Sequence, residues 1–260
     1  MGSTSGIRVH AYHYTEMKPL PVIEIFGPVI QGEGVMAGHQ THFLRLGGCD
    51  FRCVWCDTPY AVLPEQVKVN STQTDVGEIV ARLTQLAEES GCYTVTLSGG
   101  NPAIHQLDPL IRCLNNDGWK VVVETQGSIY ASWFLDCELV VLSPKPPSSE
   151  MAFDRQKFLD IIRPIRLAGR EICFKVVVFT QEDFDFALGV FHNVYDPGLG
   201  DTYYLQPGTD IASPSESATR DTLAAQTQMV HEWMRRQRYF PYVRILPQIH
   251  TMVYGTRRGV

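Results

Sequence analysis

The sequence predicts an α/β protein built on an open, partial parallel β/α barrel of about six strands. Three observations predict it. Apolar runs of strand length alternate with amphipathic stretches of helical period after residue 20, the pattern of a parallel sheet. Six such units are visible, too few for a closed eight-fold barrel of about 250 residues with all its helices. Polar and glycine-rich residues gather at the carboxyl ends of the runs, the edge where parallel α/β sheets bind ligands.

The elements follow in order. "HFLRLGG" (42–48) reads as a strand that delivers the chain into a cysteine-rich loop. In "TDVGEIVARLTQLAEESG" (74–91), Val76, Ile79, Val80, Leu83 and Leu86 recur with helical period; Thr74 or Asp75 caps the start and Gly91 stops it. "YTVTLSGG" (93–100) is the second strand and "LDPLIRCLNNDG" (107–118) a short helix closed by Gly118. "KVVVET" (120–125), "ELVVLSPK" (138–145), "EICFKVVVF" (171–179) and "TYYLQPG" (202–208) supply strands three to six. "DRQKFLDIIRPI" is a helix that Pro164 is expected to end. The longest helix spans 219–237, and "YVRILPQIH" (242–250) follows as a last extended piece.

With 44% hydrophobic and 19% charged residues, a sizeable core is available. A chain of 260 residues holds one α/β domain or two smaller ones. No internal repeat or linker divides this one, so 20–260 reads as a single domain, preceded by a polar, mobile leader over 1–19. A net charge of −6 provides no overall positive field to draw in nucleic acid or an anionic membrane. No run of about 18 apolar residues exists and the leader lacks an apolar signal core, so the expected compartment is the cytoplasm.

There a reducing environment disfavours structural disulfides, and the chain has seven cysteines. Cys92, Cys113, Cys137 and Cys173 are scattered and read as small hydrophobes. Cys49, Cys53 and Cys56 fall within eight positions, in "GGCDFRCVWCDTPY" (47–60). A structural zinc site wants four ligands, and a redox C-x-x-C pair leaves Cys49 unexplained. A [4Fe–4S] cluster needs one ligand per iron; three thiolates on one loop hold three irons and leave the fourth open. Zinc, another iron–sulfur arrangement and plain reduced thiols remain the alternatives. Trp55 suits the cluster reading by covering it with an apolar ring. Downstream, "SGGNP" (98–102) is either a plain strand-to-helix turn or a glycine-rich contact that lets backbone approach a ligand.

The spacing C-x₃-C-x₂-C resembles the signature of radical S-adenosylmethionine enzymes. More narrowly, "IEIFGPVIQGEG" (23–34), "RLGGCDFRCVWCDTPY" (45–60), "TLSGGNPA" (96–103), "VETQGSIY" (123–130), "LSPKPPSS" (142–149) and "RILPQIHTMVYGTRRGV" (244–260) are together similar to the 7-carboxy-7-deazaguanine synthase family, in the longer form known from Gram-positive bacteria. The resemblance implies a radical SAM fold and a ring contraction of 6-carboxy-5,6,7,8-tetrahydropterin to 7-carboxy-7-deazaguanine with loss of ammonia. The product feeds queuosine and other 7-deazapurines. It also implies a [4Fe–4S] cluster on Cys49, Cys53 and Cys56, S-adenosylmethionine, Mg²⁺ on Thr58, an electron donor such as flavodoxin or ferredoxin, and a homodimer.

Against that substrate the resemblance assigns Arg45 to the carboxylate, through bidentate hydrogen bonds, and Ile30, Gln31, Gly32 and Glu33 to the pterin edge. Ser98 contacts substrate from the glycine loop and His250 closes the pocket. Gly100, Glu124, Gln126, Ser143, Pro144, Lys145 and Gln206 line the S-adenosylmethionine site, with "QPGTD" (206–210) against the adenine. The plainer readings are an ion-paired surface arginine for Arg45, a turn-capping hydroxyl for Thr58, a surface lysine for Lys145 and a structural hydrogen-bonder for His250. A glycyl-radical activase shares the cysteine spacing, and a non-catalytic iron–sulfur or zinc module is the rival from a different class.

Overall fold

In the computed structural model, which describes residues 18–209, 215–237, 240–255 and 257–259, apolar runs and amphipathic stretches alternate as strands and helices. In chain order these are β1 (Leu20–Ile30), β2 (Gln40–Leu46), α1 (Pro64–Asn70), β3 (Thr72–Thr74), α2 (Val76–Ser90), β4 (Thr94–Gly99), α3 (Asp108–Asn116), β5 (Lys120–Thr125), β6 (Leu139–Leu142), α4 (Arg155–Leu167), β7 (Ile172–Val178), α5 (Gln181–Val194), β8 (Thr202–Pro207), α6 (Glu216–Met234), β9 (Val243–Ile245) and α7 (Ile249–Tyr254). All but the last two residues of the expected leader lie outside the described residues.

The strands form one sheet in the order β3-β1-β2-β4-β5-β6-β7-β8-β9. From β2 to β9 each neighbour pairs in parallel, so the six expected strands stand side by side in chain order. Helices follow most of them, and the crossovers keep one face of the sheet covered.

Strand alternation divides the residues between two faces. Val121, Val123, Val140, Leu142, Phe174, Val176 and Leu205 join the main core with the helices. The residues between them face the other way. There, Val122, Leu139, Val141, Cys173 and Tyr204 make a small apolar cluster, and the positions two further along each strand are Glu124, Ser143, Lys175 and Gln206. One face therefore turns from apolar to polar toward the carboxyl ends of its strands. That polar end is where the cavity lies.

Four expectations need correction. β1 and β3 were not anticipated as strands; β1 pairs antiparallel with β2 and β3 antiparallel with β1. Gly27-Pro28 interrupts the strand pattern in the sequence, and the β1–β2 register shifts there, between Phe26 and Val29. β3 reaches β1 only at Leu20, Pro21 and Val22, so Pro28 falls where one edge of β1 has no ladder to lose. Second, α4 does not stop at Pro164 but runs to Leu167. Buried Ile165 and the Arg166–Asp201 ion pair, with Nε to Oδ2 at 2.9 Å, hold the final turn against the missing N–H. Third, α6 begins three residues before the expected start, where Ser215 Oγ accepts the Ala218 N–H at 3.2 Å. Fourth, only Val243–Ile245 of the last extended piece is strand; the chain then turns into α7, which carries His250.

Cys113, Cys137 and Cys173 are buried, as small hydrophobes should be. Cys92 is half-buried two residues before β4, where its thiol donates to the Gln40 carbonyl at 3.5 Å.

Candidate active site

A cavity of about 410 Å³ opens at the carboxyl ends of the parallel strands. The segment 47–60 supplies one wall. The chain leaves β2 through Gly47 and Gly48, and the loop is pinned by backbone: Gly48 N–H donates to Ala61 O at 2.8 Å, Gly100 N–H to Leu46 O at 3.0 Å, and Asn101 N–H to Gly48 O at 2.8 Å. A Cβ on Gly99 would sit 2.0 Å from Leu46 O, and one on Gly100 would sit 2.0 Å from Gly48 O. Glycine is required at both because two backbones touch. In "SGGNP" the close approach is thus to the cysteine loop itself. Asp50, whose role the sequence did not suggest, clamps the same loop: Oδ1 accepts Asn101 Nδ2 at 2.8 Å and Gln126 Nε2 at 2.7 Å.

All three thiols of the loop line the cavity. Burial pushes the Cys53 thiol up to about 11, against the Lys145 ammonium and with the help of its neighbours Cys56 and Cys49. Phe51 N–H at 3.4 Å and Gln126 Nε2 at 3.7 Å point at Cys49 Sγ. Three thiols on one loop, open to one cavity and with N–H donors aimed at Cys49, fit a cluster that takes one thiolate per iron. Among the described residues no three His, Cys, Asp or Glu converge as ligands of a single ion. Trp55 stands over the loop, its indole N–H on Ser148 Oγ at 3.0 Å and its ring 5.3 Å from that of Phe179.

Thr58 also lines the cavity, 3.8 Å from Cys56 Sγ. It precedes the short helical turn Pro59–Ala61 but makes no side-chain capping bond there. The turn-capping explanation therefore does not account for it.

The strand ends supply the other walls. Ser98 at the end of β4 and Gly100 just after it, Glu124 and Gln126 at the end of β5, Ser143 and Lys145 after β6, and Gln206 on β8 all line the cavity. Lys145 Nζ donates to Ser143 Oγ at 3.2 Å and lies 5.9 Å from the Trp55 ring centroid; it faces inward rather than standing free on the surface. Pro144, buried between them, does not line the cavity. Asp210 of the expected adenine contact lies outside the described residues, while Thr209 is present at the cavity edge.

From the antiparallel side come Ile30, Gln31, Glu33 and Arg45. Arg45 is ion-paired, as its plainer reading held, yet it is not at the surface: Nε meets Glu24 Oε1 at 2.6 Å with 17% of each side chain exposed. Arg258, from the end of the chain, takes the other oxygen of Glu24 at 2.9 Å and lies 3.9 Å over the Tyr60 ring. Gly32 stands behind the lining, where a Cβ would come within 2.2 Å of His250 Nδ1. Ile249 N–H donates to Gly32 O at 3.0 Å. That backbone seam lays His250 against the cavity from the C-terminal side.

Lys175 and Gln248 were not singled out in the sequence. Lys175 Nζ is ion-paired with Glu33 Oε2 and stands 3.7 Å from Glu124 Oε2. Gln248 Nε2 at 2.5 Å and Gln206 Nε2 at 3.2 Å both donate to Glu33 Oε1, and Gln31 Nε2 donates to Glu124 Oε1 at 3.0 Å. Burial opposes ionisation of Glu33, but the Lys175 ammonium, with help from His250 and the Gln248 amide, holds its carboxyl well below the usual range. The signal for Lys175 was a lone lysine inside the apolar strand run "EICFKVVVF".

A model of the Radical SAM superfamily matches residues 44–140, the span from β2 to the middle of β6. The chain is 37% identical to the 7-carboxy-7-deazaguanine synthase of Bacillus subtilis (strain 168), over 94% of this chain and 99% of that one. Its identity to the Bacillus cereus protein of the same name is 36%, over 94% and 100%. Among solved structures, QueE from Escherichia coli superposes with a TM-score of 0.60 at 23% identity, covering 92% of this chain and 99% of that one, a likeness of fold.

Proposed function

We propose, from the premise that this chain belongs to the 7-carboxy-7-deazaguanine synthase family, that its cavity carries out the radical ring contraction of 6-carboxy-5,6,7,8-tetrahydropterin to 7-carboxy-7-deazaguanine with loss of ammonia. The enzyme is a radical SAM lyase working with a [4Fe–4S] cluster and S-adenosylmethionine on a small molecule, in the route to queuosine and related 7-deazapurines. One observation carries the reading: 16 of the 18 residues assigned from the sequence line a single cavity, though they come from separate segments between residues 30 and 250.

Cys49, Cys53 and Cys56 would hold the cluster. When bound, cluster and S-adenosylmethionine together supply a carbon-centred radical able to take a hydrogen atom from C6 of the substrate. The protein's part is binding and positioning. Gly100, Glu124, Gln126, Ser143, Lys145 and Gln206 form the S-adenosylmethionine side, with Pro144 shaping the loop behind them. Arg45 offers the edge of its guanidinium not used by Glu24 to the substrate carboxylate. Glu33 accepts from the N–H groups of the pterin's guanidine-like edge, and Gln31 both donates and accepts there. Ser98 and His250 complete the contacts, with Ile30 beside Gln31 and Gly32 leaving room for His250. Trp55 and Phe179 keep water from the thiol side. Holding C6 against the radical source is worth more than any single bond in this list.

Mg²⁺ on Thr58 belongs to the same reading. A lone hydroxyl is a weak ligand, so the ion binds together with substrate and waters. A chelator-treated enzyme with its cluster intact should turn over more slowly and recover on adding Mg²⁺; an unchanged rate would remove the assignment. The electron donor is a flavodoxin or ferredoxin, the working unit a homodimer, residues 20–260 one catalytic domain, and the compartment the cytoplasm. No helix among the described residues is long and apolar enough to cross a membrane.

The deciding experiment is anaerobic incubation of the reconstituted enzyme with the carboxytetrahydropterin, dithionite and S-adenosylmethionine, read by mass spectrometry. The reading expects 7-carboxy-7-deazaguanine together with 5′-deoxyadenosine. Deoxyadenosine without the deazaguanine would point to another radical substrate, and zinc without iron to a binding module.

A further inference from the structure

Lys175 sits in the middle of β7 and is 4% exposed, a position where an unpaired ammonium is costly. On its own strand the residues that share its face are Cys173, fully buried, and Val177. Nothing apolar about that face calls for a cation. What calls for one is a pair of carboxylates that arrive from different parts of the chain: Glu33 from the loop after β1, and Glu124 from β5. Both reach the same ammonium. Two carboxylates close enough to share one ammonium repel each other, and without the cation one of them takes up a proton.

The rest of the network is oriented by the same charges. Glu33 Oε1 takes two amide N–H donors, from Gln206 and Gln248. Gln248 Oε1 takes the Thr209 hydroxyl. Gln31 donates to Glu124 and accepts the Gly32 N–H at 2.8 Å on its own Oε1. Each amide points its N–H at an anion, so protonating either carboxyl would turn an acceptor into a donor and break the order of the chain of bonds. The titratable groups that face Glu33 are Lys175 and His250; those that face Lys175 are Glu33, Glu124 and Cys173.

We propose that Lys175 is a positioning residue that keeps Glu33 ionised and holds Glu33 and Glu124 aimed into the cavity, so that the N–H-rich edge of the pterin meets an anion rather than a carboxylic acid. The assignment rests on the ring-contraction reading for its substrate, but not for the ionisation it describes. Lys175 itself lines the cavity, but the role assigned to it is not on the reacting atoms. It acts through the two carboxylates and joins the side assigned to substrate with the side assigned to S-adenosylmethionine.

The test compares wild type, Lys175→Arg and Lys175→Met as holoenzymes with two readouts. The first needs no substrate: infrared absorption of a protonated carboxyl. Lys175→Met should show such a band at neutral pH, absent in wild type and lost again in Lys175→Met/Glu33→Gln or Lys175→Met/Glu124→Gln. The second is kcat and KM for the carboxytetrahydropterin between pH 6 and 9, with saturating S-adenosylmethionine and dithionite. Lys175→Met should raise KM about 10- to 100-fold, the scale of a lost charge-assisted bond, far more than it lowers kcat. The raised KM should fall as pH rises and the carboxyl regains its charge; Lys175→Arg, which keeps the cation, should stay near wild type and flat with pH.

A raised KM that ignores pH, or a Lys175→Met protein with no protonated-carboxyl band, overturns the proposal. If wild type makes no deazaguanine, the substrate reading fails and the infrared band alone decides the role of Lys175. If Lys175→Met does not fold, Lys175→Met/Glu33→Gln removes the repelling pair. Binding of 7-carboxy-7-deazaguanine equal to that of Glu33→Gln alone supports action through Glu33, and clearly weaker binding refutes it.

Discussion

At one end of the cavity, three thiols come from eight consecutive residues and are held in place largely by backbone; at the other, five side chains from five parts of the chain make a buried network of alternating charge. The thiol end is local. Its geometry comes from Gly99 and Gly100, where a Cβ would meet the backbone of Leu46 and Gly48, and from Gly48, whose carbonyl accepts the Asn101 N–H. The charged end of Glu33, Glu124, Lys175, Gln206 and Gln248 exists only because the sheet brings β5, β7 and β8 together with the loop after β1 and the turn into α7. A local site fails when one of its own atoms is removed. A distributed charged site fails by losing its balance of charge, and its members act together.

The harshest way to probe the difference is at the thiols. Cys53→Ala should abolish both iron incorporation and deazaguanine formation, a loss of about 10³-fold or more, because no described thiol beyond Cys49, Cys53 and Cys56 lines the cavity to take its place. Cys113→Ala, a buried cysteine on α3, should leave turnover nearly intact. Iron analysis and product assay read both. Equal losses would mean the trio is not the cluster site.

Gly100→Ala comes next. Its new Cβ would lie 2.0 Å from Gly48 O and 2.9 Å from Ala61 O, both backbone, so the cysteine loop has to move. We expect a stability loss of about 2–4 kcal/mol with impaired cluster uptake, measured by denaturant unfolding and iron content. A protein that unfolds and loads like wild type would show that the two backbones are not held as tightly as the geometry indicates.

At the substrate side, Arg45→Ala should raise KM for the carboxytetrahydropterin about 10- to 100-fold, while Arg45→Lys, a point charge without the planar fork, recovers only part. Cleavage of S-adenosylmethionine without substrate should hardly change, which separates a substrate contact from a folding defect. If uncoupled cleavage falls as far as turnover, Arg45 is serving the fold through Glu24 instead.

The smallest expected effect is on acid stability. The folded-state pKa of Glu33 is lowered relative to an unfolded carboxyl near 4.3, so its contribution is complete above that value and is lost as pH falls below it. Wild type should lose stability on acidification below about pH 4.3 more steeply than Glu33→Gln, in urea unfolding at matched pH. Parallel curves would mean that other carboxyls dominate.

The six parallel strands were legible because each pairs a short apolar run with a polar or glycine-rich end, and so was the cysteine loop, whose ligands need only a spacing to declare themselves. β1 was hidden by Gly27-Pro28, a breaker tolerated only because its outer edge is unpaired at that point. The continuation of α4 past Pro164 was hidden for a related reason: buried Ile165 and the Arg166–Asp201 pair override a local stop signal. Arg45 was visible as a residue, but its sharing of Glu24 with Arg258, 213 positions further on, was not.

By itself, then, the chain's order of residues determined the strand succession, the three-thiol loop, the glycines beside it and 16 of the residues that line the cavity. Those features are short-range, set by spacing and by side-chain period. Only the tertiary structure decided which of those side chains meet. It put one lysine between two glutamates 91 positions apart in the chain, and seated His250 in the gap that Gly32 leaves. Charge pairing depends on distance in space, and the folded sheet alone sets that distance.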